Sequence, residues 1–156
     1  MIEVLFQLDE HLQLLSSYQD DNSLTFVLKR ETKSAPCPHC GYFSHRPHSS
    51  YTRIIHDLPV SDQEVILIIH LHKWFCDQTD CTAKIFTERL PWLSPYRRKT
   101  KRLEEILRTL AFSMSCLQAE KVCQRLHIPV SHDSLLDLIK NTSIPEAEET
   151  SPFCGN

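Results

Sequence analysis

Length and composition place this chain among small globular proteins. It has 156 residues, of which 41% are hydrophobic and 24% are charged, as expected for one ordinary domain or two small ones. It contains only two glycines, Gly41 and Gly155, which excludes the glycine-rich loops of ordinary nucleotide-binding enzymes. The longest apolar run, Val65 to Ile69, has five residues, against the roughly 20 that span a bilayer. The N-terminal segment MIEVLFQLDE lacks the pattern of a secretory signal, so we expect a cytoplasmic protein without membrane partners.

The net charge of −3 conceals an uneven distribution along the chain. Residues 1–28 carry −5, residues 29–102 carry +6 and residues 103–156 carry −4. A basic middle section favours a polyanionic partner, because an anion responds to the local field and not to the total charge.

The first half of the chain has the pattern of β-strands. Two apolar stretches between Leu12 and Lys29 flank the turn-forming residues 19–23 and predict a β-hairpin. Residues 51–58 and 64–75 predict two further strands, joined by a turn at residues 59–63.

The second half has helical periodicity. Apolar residues spaced at i, i+3, i+4 and i+7 from Leu103 to Met114 predict an amphipathic helix. A second helix ends before Ile128-Pro129, and Ser131 is a suitable N-cap for a third. The layout is that of a helix-turn-helix, with residues 131–141 as the recognition helix. The acidic, aperiodic segment from Thr142 onward predicts a flexible tail, which includes Cys154.

Four of the seven cysteines form two closely spaced pairs, Cys37 with Cys40 and Cys76 with Cys81. In a reducing compartment this spacing indicates metal binding before it indicates disulfides. Four thiolates fill the tetrahedral coordination sphere of zinc, so we expect one structural zinc ion and no open catalytic position. Two alternatives remain: four unligated core cysteines, or a site in which His45 or His48 replaces one cysteine.

Other cysteines and histidines form weaker patterns. Cys116, Cys123 and His127 share one helical face, which is better explained by buried helix-face cysteines than by a second metal site or a nucleophile. His70 and His72 share one strand face and, with Lys73, are candidates to lie beside a phosphate backbone.

The basic run before the first helix is the candidate contact with phosphates. Cations are disfavoured at a helix N-terminus unless another partner uses them. The alternative is a solvated linker. Including the polar outer face of the third helix, the candidate DNA-binding residues are Arg97, Arg98, Lys99, Lys101, Arg102, His132, Ser134, Lys140 and Asn141.

These elements predict an α+β protein in which an N-terminal β-hairpin and a four-cysteine zinc ribbon precede a trihelical helix-turn-helix domain. The predicted boundaries are 1–34 for the hairpin region, 35–92 for the ribbon, 93–141 for the helix-turn-helix and 142–156 for the tail.

Several motifs, in order, carry a resemblance to a known family. They are CPHCGYFSHRPHSSYTRIIHDLPV, a hydrophobic strand ending in WFC, then CDQTDC, IFTERLP and PYRRKTKRL. From about Leu12 to Asn141 the chain resembles the N-terminal, zinc-ribbon part of ISL3-family insertion-sequence transposases. Members commonly carry glycine where Asp62 stands, and a more basic pair where His72-Lys73 stands.

The resemblance implies a function. In that family the ribbon and a helix-turn-helix bind the terminal inverted repeats of the element, and a DDE-type catalytic domain follows. By resemblance the four paired cysteines take the zinc-ligand role, and residues 117–140 take that of the helix-turn-helix. The chain stops where the catalytic domain would begin, so we expect a non-catalytic, nucleoid-associated binder of double-stranded transposon-end DNA.

Competing hypotheses follow from the same residues. As a fragment, the chain could compete with full-length transposase and inhibit it, or associate with that transposase or with itself. A protein-interaction or transcription-regulating module is the alternative, favoured by the acidic flanks. A small metalloenzyme would need an open metal position that four cysteines do not leave.

Overall fold

A computed structural model describes residues 8–143 of the chain. The predicted tail beyond Ser143 and its Cys154 lie outside the described residues. The α+β class is confirmed, with strands first and helices last. The strands are β1 (Leu12–Gln19), β2 (Ser23–Arg30), β3 (Ala35–Pro36), β4 (Phe43–Ser44), β5 (Pro47–Val60), β6 (Gln63–Phe75) and β7 (Ile85–Thr87), and the helices are α1 (Lys101–Ser113), α2 (Cys116–Arg125) and α3 (His132–Lys140).

The main sheet has the order β1-β2-β6-β5, and β7 pairs with the end of β6. The hairpin of β1 and β2 joins it through a parallel pairing of β2 with β6, which sets Leu28 opposite Ile69. One face of the sheet is apolar, and Leu28, Ile55, Leu67 and Ile69 are almost completely buried there. The predicted boundary at residue 34 therefore separates two segments that share one sheet and one core.

The hairpin of β5 and β6 is longer and its turn tighter than the sequence indicated. The predicted strand 51–58 extends to Pro47–Val60, and the turn consists of Ser61 and Asp62 alone, with φ of 49° and 60°. Positive φ at both central residues is the backbone of a type I′ turn, whose twist matches that of the flanking strands. The polar residues before Tyr51 show no apolar alternation, so the sequence does not predict them as strand. They belong to β5 because they pair with β6 and not because they are buried.

Each helix begins at a hydroxyl N-cap. The Thr100, Ser115 and Ser131 side chains accept hydrogen bonds from the N–H groups of Leu103, Gln118 and Ser134. These bonds satisfy donors that the first turn leaves unpaired, and the predicted cap at Ser131 is confirmed. The helices pack around their own apolar core, which includes Leu103, Leu107, Ala119, Cys123 and Leu135.

The helical unit is attached directly to β5. The His56 N–H donates to the Arg98 carbonyl (2.8 Å), and the Thr100 N–H donates to the His56 carbonyl (3.0 Å). The basic run therefore pairs with the edge of the sheet, because Lys99 forms an isolated parallel β-bridge with His56. Among residues 8–143, no helix is long and apolar enough to cross a membrane.

Candidate metal centre and basic surface

The first pair of cysteines lies in a tight turn between β3 and β4. The Gly41 N–H donates to the Cys37 carbonyl (2.8 Å), and the Cys37 N–H donates to the Tyr42 carbonyl (2.8 Å). Gly41 has φ of +76°, while a Cβ built at this position would meet nothing within 4 Å. Glycine is needed here for its left-handed backbone and not for space.

The second pair of cysteines lies between β6 and β7. The Cys76 N–H donates to the Lys84 carbonyl (2.9 Å) and the Cys81 N–H donates to the Gln78 carbonyl (3.2 Å), which closes the turn. β7 runs antiparallel to the end of β6. The turn that carries Cys76 and Cys81 therefore lies at the end of the sheet, beside the turn that carries Cys37 and Cys40.

The four thiols converge on one point. Their Sγ atoms all lie within 4.8 Å of one another, and the Cys37–Cys81 and Cys40–Cys76 pairs are 3.9 Å and 3.5 Å apart. Tetrahedral zinc with Zn–S bonds of about 2.3 Å sets its sulfurs about 3.8 Å apart. Cys37, Cys76 and Cys81 are buried and Cys40 is exposed. The donor set therefore fits one structural zinc ion.

The surroundings of the four thiols favour the thiolate form at Cys37. Burial alone raises the pKa of Cys37, but N–H groups of His39 and Cys40 and the neighbouring thiols hold that pKa at about 7. Burial raises the pKa of Cys76 to about 12 and also raises that of Cys81. Four thiols this close cannot all ionise without a cation between them, which is the role that zinc would fill.

The alternative metal sites receive no support. His45 and His48 are exposed, and the His48 ring packs edge-on against Phe75 at 4.7 Å. Over residues 8–143 the four cysteines are the only group of three or more potential ligands within metal-binding distance. Cys123 is fully buried, and burial raises its thiol pKa, whereas Cys116 is half-buried and His127 is exposed. These surroundings fit the interpretation of a buried helix-face cysteine at Cys123.

Two residues of the basic run serve the fold. Arg102 donates from Nε to Asp57 Oδ1 (2.8 Å) and from Nη2 to Asp57 Oδ2, and this carboxylate raises the pKa of Arg102. The Lys101 ammonium donates to the Pro91 carbonyl (2.6 Å). The Asp57 carboxylate is buried, so Arg102 holds the start of α1 to β5 and is not a free phosphate ligand.

The other three cations of the run differ in their surroundings. Arg97 lies 3.8 Å from the Glu104 carboxylate. Lys99 is half-buried, and desolvation lowers its pKa. Arg98 is exposed and has no carboxylate partner among the described residues. Arg98 is therefore the cation of the run most available to an anionic partner.

The predicted recognition residues lie on or next to α3. His132 contacts Glu120 (3.3 Å), Ser134 bonds to the Ser131 hydroxyl (3.0 Å), and the Asn141 amide donates to the Asp137 carbonyl (2.7 Å). Lys140 is exposed. The first turn of this helix carries an acidic residue and its last turn a basic one, so its outer face has mixed charge.

Two residues that the sequence analysis did not assign lie beside the basic run. Tyr96 is 89% exposed and has a left-handed backbone, with φ of 62°. Arg53 on β5 donates from Nη2 to the Arg97 carbonyl. An aromatic residue followed directly by two arginines was visible in the sequence, but the exposure of Tyr96 and the approach of Arg53 are products of the fold.

The fold and the four-thiol site define a zinc-ribbon protein with a trihelical unit after the ribbon. Residues 33–81 match the family model described as the zinc-finger of transposase IS204/IS1001/IS1096/IS1165. The chain is also 32% identical over 83 residues to the transposase for insertion sequence element IS1001 of Bordetella parapertussis. The resemblance is confirmed over the ribbon: residues 33–81 are similar to the zinc finger of ISL3-family transposases.

The extent of this similarity is limited. The aligned segment covers 53% of this chain and 20% of the IS1001 transposase, so the chain spans about a fifth of that relative's length. No solved structure matches the chain.

Proposed function

We propose that this protein binds double-stranded DNA, with the zinc ribbon as its scaffold and the surface around residues 96–98 as its contact. One observation carries the proposal: the basic run is fixed against the sheet at His56 and at the same time borders a groove lined by Ser134 and Asp137 of α3. A cationic segment held between a sheet and a candidate recognition helix can contact phosphates while the helix contacts bases.

The proposed target is the terminal repeat of an insertion sequence. The IS1001 relative is a transposase, and a transposase must recognise the ends of its element. We propose that the four cysteines hold the zinc and that this chain contributes binding and not catalysis. A chain that occupies such ends would compete with a full-length transposase for them.

The test is a titration of the zinc-loaded protein against two labelled duplexes, at several salt concentrations. One duplex carries the inverted repeat nearest to the coding sequence, and the other has the same composition in scrambled order. We expect the repeat to bind at least about a thousandfold more tightly, the lower range for specific readers. Equal, weak affinity for both duplexes would contradict recognition of the repeat.

A protein-interaction module is the second candidate function. Asp133, Asp137 and the 40% exposed Leu136 lie on α3, and two carboxylates beside an exposed apolar side chain suit a protein partner better than a phosphate backbone. Weak binding to both duplexes together with a stable stoichiometric protein complex, lost in Leu136→Ala, would favour this candidate.

A further inference from the structure

A groove of about 430 Å³ lies along the outer edge of the sheet. Its walls are Thr52, Arg53, Ile54 and His56 of β5 on one side, and Tyr96 and Arg98 on the other. None of these lining residues is acidic, and two are arginines. The neighbouring groove beside α3 differs, because it is lined by Glu104 and Asp137 as well as by cations.

The floor of the groove offers backbone donors. β5 is the edge strand of the sheet, and His56 directs its N–H and C=O away from β6, toward Arg98 and Thr100. Backbone groups alternate in direction along a strand, so those of Thr52 and Ile54 also point away from β6. Outside the sheet pairings, the N–H groups of these two residues form no backbone hydrogen bond in the part of the chain that the structure describes.

The side chains add fixed positive charge above these donors. Arg53 uses one N–H of its guanidinium on the Arg97 carbonyl, and a guanidinium has five such donors. Arg98 is held in place through its carbonyl by His56 while its side chain remains exposed. Two arginines and two outward N–H groups form a site complementary to a phosphate group. A carboxylate contacts the lining at His56, where Glu64 Oε1 lies 2.7 Å from Nδ1.

We infer that this groove binds backbone phosphates of DNA, and that the duplex therefore contacts the sheet edge and not α3 alone. This inference rests on the proposed function and names a contact within it. An extended peptide could also pair with a free strand edge, but the segment from Arg98 to Thr100 already occupies the edge beyond Ile54, and two arginines favour an anion.

The experiment compares the salt dependence of binding to the scrambled duplex for variants of the zinc-loaded full chain. Arg53→Gln combined with Arg98→Gln removes the two cations of the groove. The control combines Lys33→Gln with Lys121→Gln, two exposed lysines that do not line the groove and that change the net charge equally. We expect the slope of log affinity against log salt to fall by about 1.8 in the groove variant and to stay near the wild-type value in the control. Equal slopes in both variants would overturn the inference.

A second variant separates the backbone donors from charge. Thr52→Pro removes an outward N–H at the sheet edge, where proline is tolerated, and leaves the net charge unchanged. We expect weaker binding to both duplexes with unchanged zinc content and melting. If Thr52→Pro instead abolishes a concentration-dependent dimer and leaves DNA binding unchanged, the edge pairs with protein and the inference is wrong.

An NMR titration with inorganic phosphate at constant ionic strength distinguishes this inference from the proposed function. Shifts of the Thr52 and Ile54 amide signals without any binding to duplex DNA would show an anion site while refuting DNA binding. DNA binding with unchanged amide signals and an unchanged slope in the groove variant would refute the groove alone.

Discussion

At the scale of single residues, His127 occupies a position suited to glycine. It follows α2 with φ of 57°. The Ile128 N–H donates to the Cys123 carbonyl (2.9 Å) and the His127 N–H to the Gln124 carbonyl (3.3 Å). These two bonds define a Schellman motif, whose left-handed residue is usually glycine because a Cβ clashes there.

We therefore predict that His127→Gly stabilises the protein. The gain should be about 1 kcal/mol, because the left-handed strain of a non-glycine residue is removed. Urea unfolding of the zinc-loaded protein measures it. Lys121→Gly, at an exposed position in the middle of α2, is the control and should lose about 0.5–1 kcal/mol. A loss of stability in His127→Gly would show that the imidazole has a structural role.

At the scale of elements, the two cysteine turns join the ends of β4, β6 and β7 into one ribbon. Its small buried cluster consists of Ala35, Cys37, Trp74, Cys76, Cys81 and Phe86. Half of these residues are thiols, so apolar burial alone contributes little, and metal binding should supply much of the folding free energy of this part.

Cys76→Ser should lower the zinc content from about one ion per chain to near zero and unfold the ribbon. Elemental analysis and the melting temperature measure both effects. Cys116→Ser is the matched control, because Cys116 lies on α2 outside the four-thiol group. This variant should keep one zinc ion per chain. Full zinc occupancy in Cys76→Ser would show that another residue completes the site.

A second connection between elements is the buried contact of β5 with α1. The Asp57 carboxylate accepts from the Thr100 hydroxyl (2.7 Å) and from Arg102 Nε (2.8 Å). These bonds place the N-terminus of α1, and with it the basic run, at a constant position against the sheet.

We predict that Asp57→Asn destabilises the protein by about 2–3 kcal/mol. Removing one partner of a buried ion pair costs about 3–5 kcal/mol, and the figure is reduced here because Arg102 is one-third exposed to solvent. Urea unfolding measures the loss, and Asp62→Asn, in the exposed turn, is the control. If the proposed function holds, Asp57→Asn should also weaken DNA binding. A loss no larger than in the control would mean that this pair does not connect the two units.

At the scale of the whole molecule, a buried ionic network ties the N-terminal hairpin to the segment after β7. Arg30 donates to Asp9 Oδ2 (2.7 Å) and to Glu88 Oε2 (2.8 Å), and the Trp92 indole N–H lies 3.4 Å from Asp9 Oδ2. Three parts of the chain that are far apart in sequence meet at this network, and Trp92 is also a member of the sheet core.

The network predicts a pH dependence of stability. Burial alone raises the pKa of Asp9, but bonds from the His11 N–H, Arg30 and Trp92 outweigh it and hold that pKa below its ordinary value. A carboxyl whose pKa is lowered by folding stabilises fully above its ordinary value and loses this contribution as the pH falls through the lowered pKa. Asp9→Asn should therefore be less stable than wild type near neutral pH, and the difference should shrink below about pH 4.

Unfolding of both proteins at a series of pH values measures this difference. Zinc release at low pH affects both chains alike, so the comparison isolates the carboxyl. Asp21→Asn, exposed in the first turn, is the control and should follow wild type. A difference independent of pH would show that Asp9 acts through packing and not through its charge.

Local signals in the sequence were sufficient for many features. The spacing of the four cysteines predicted their convergence, because a short turn sets the distance within each pair and a β-hairpin brings the pairs together. The hydroxyl cap at Ser131 and the helical periodicity predicted the third helix, since both depend on neighbours within a few residues. The family resemblance was readable from the same motifs.

Contacts between distant residues were decided only by the tertiary structure. A run of cations looks alike in sequence, yet Arg102 is paired with Asp57, Lys101 bonds to a carbonyl and Arg98 remains free for an anion. The parallel pairing of β2 with β6, the edge groove at Thr52 and the approach of Arg53 to Arg97 likewise depend on how the strands are ordered. The sequence by itself determined the longer strands, the helices and the zinc site, because these arise from local periodicity and short spacings. The short strands β3, β4 and β7 and the partner of each charge depend on residues that only folding brings together.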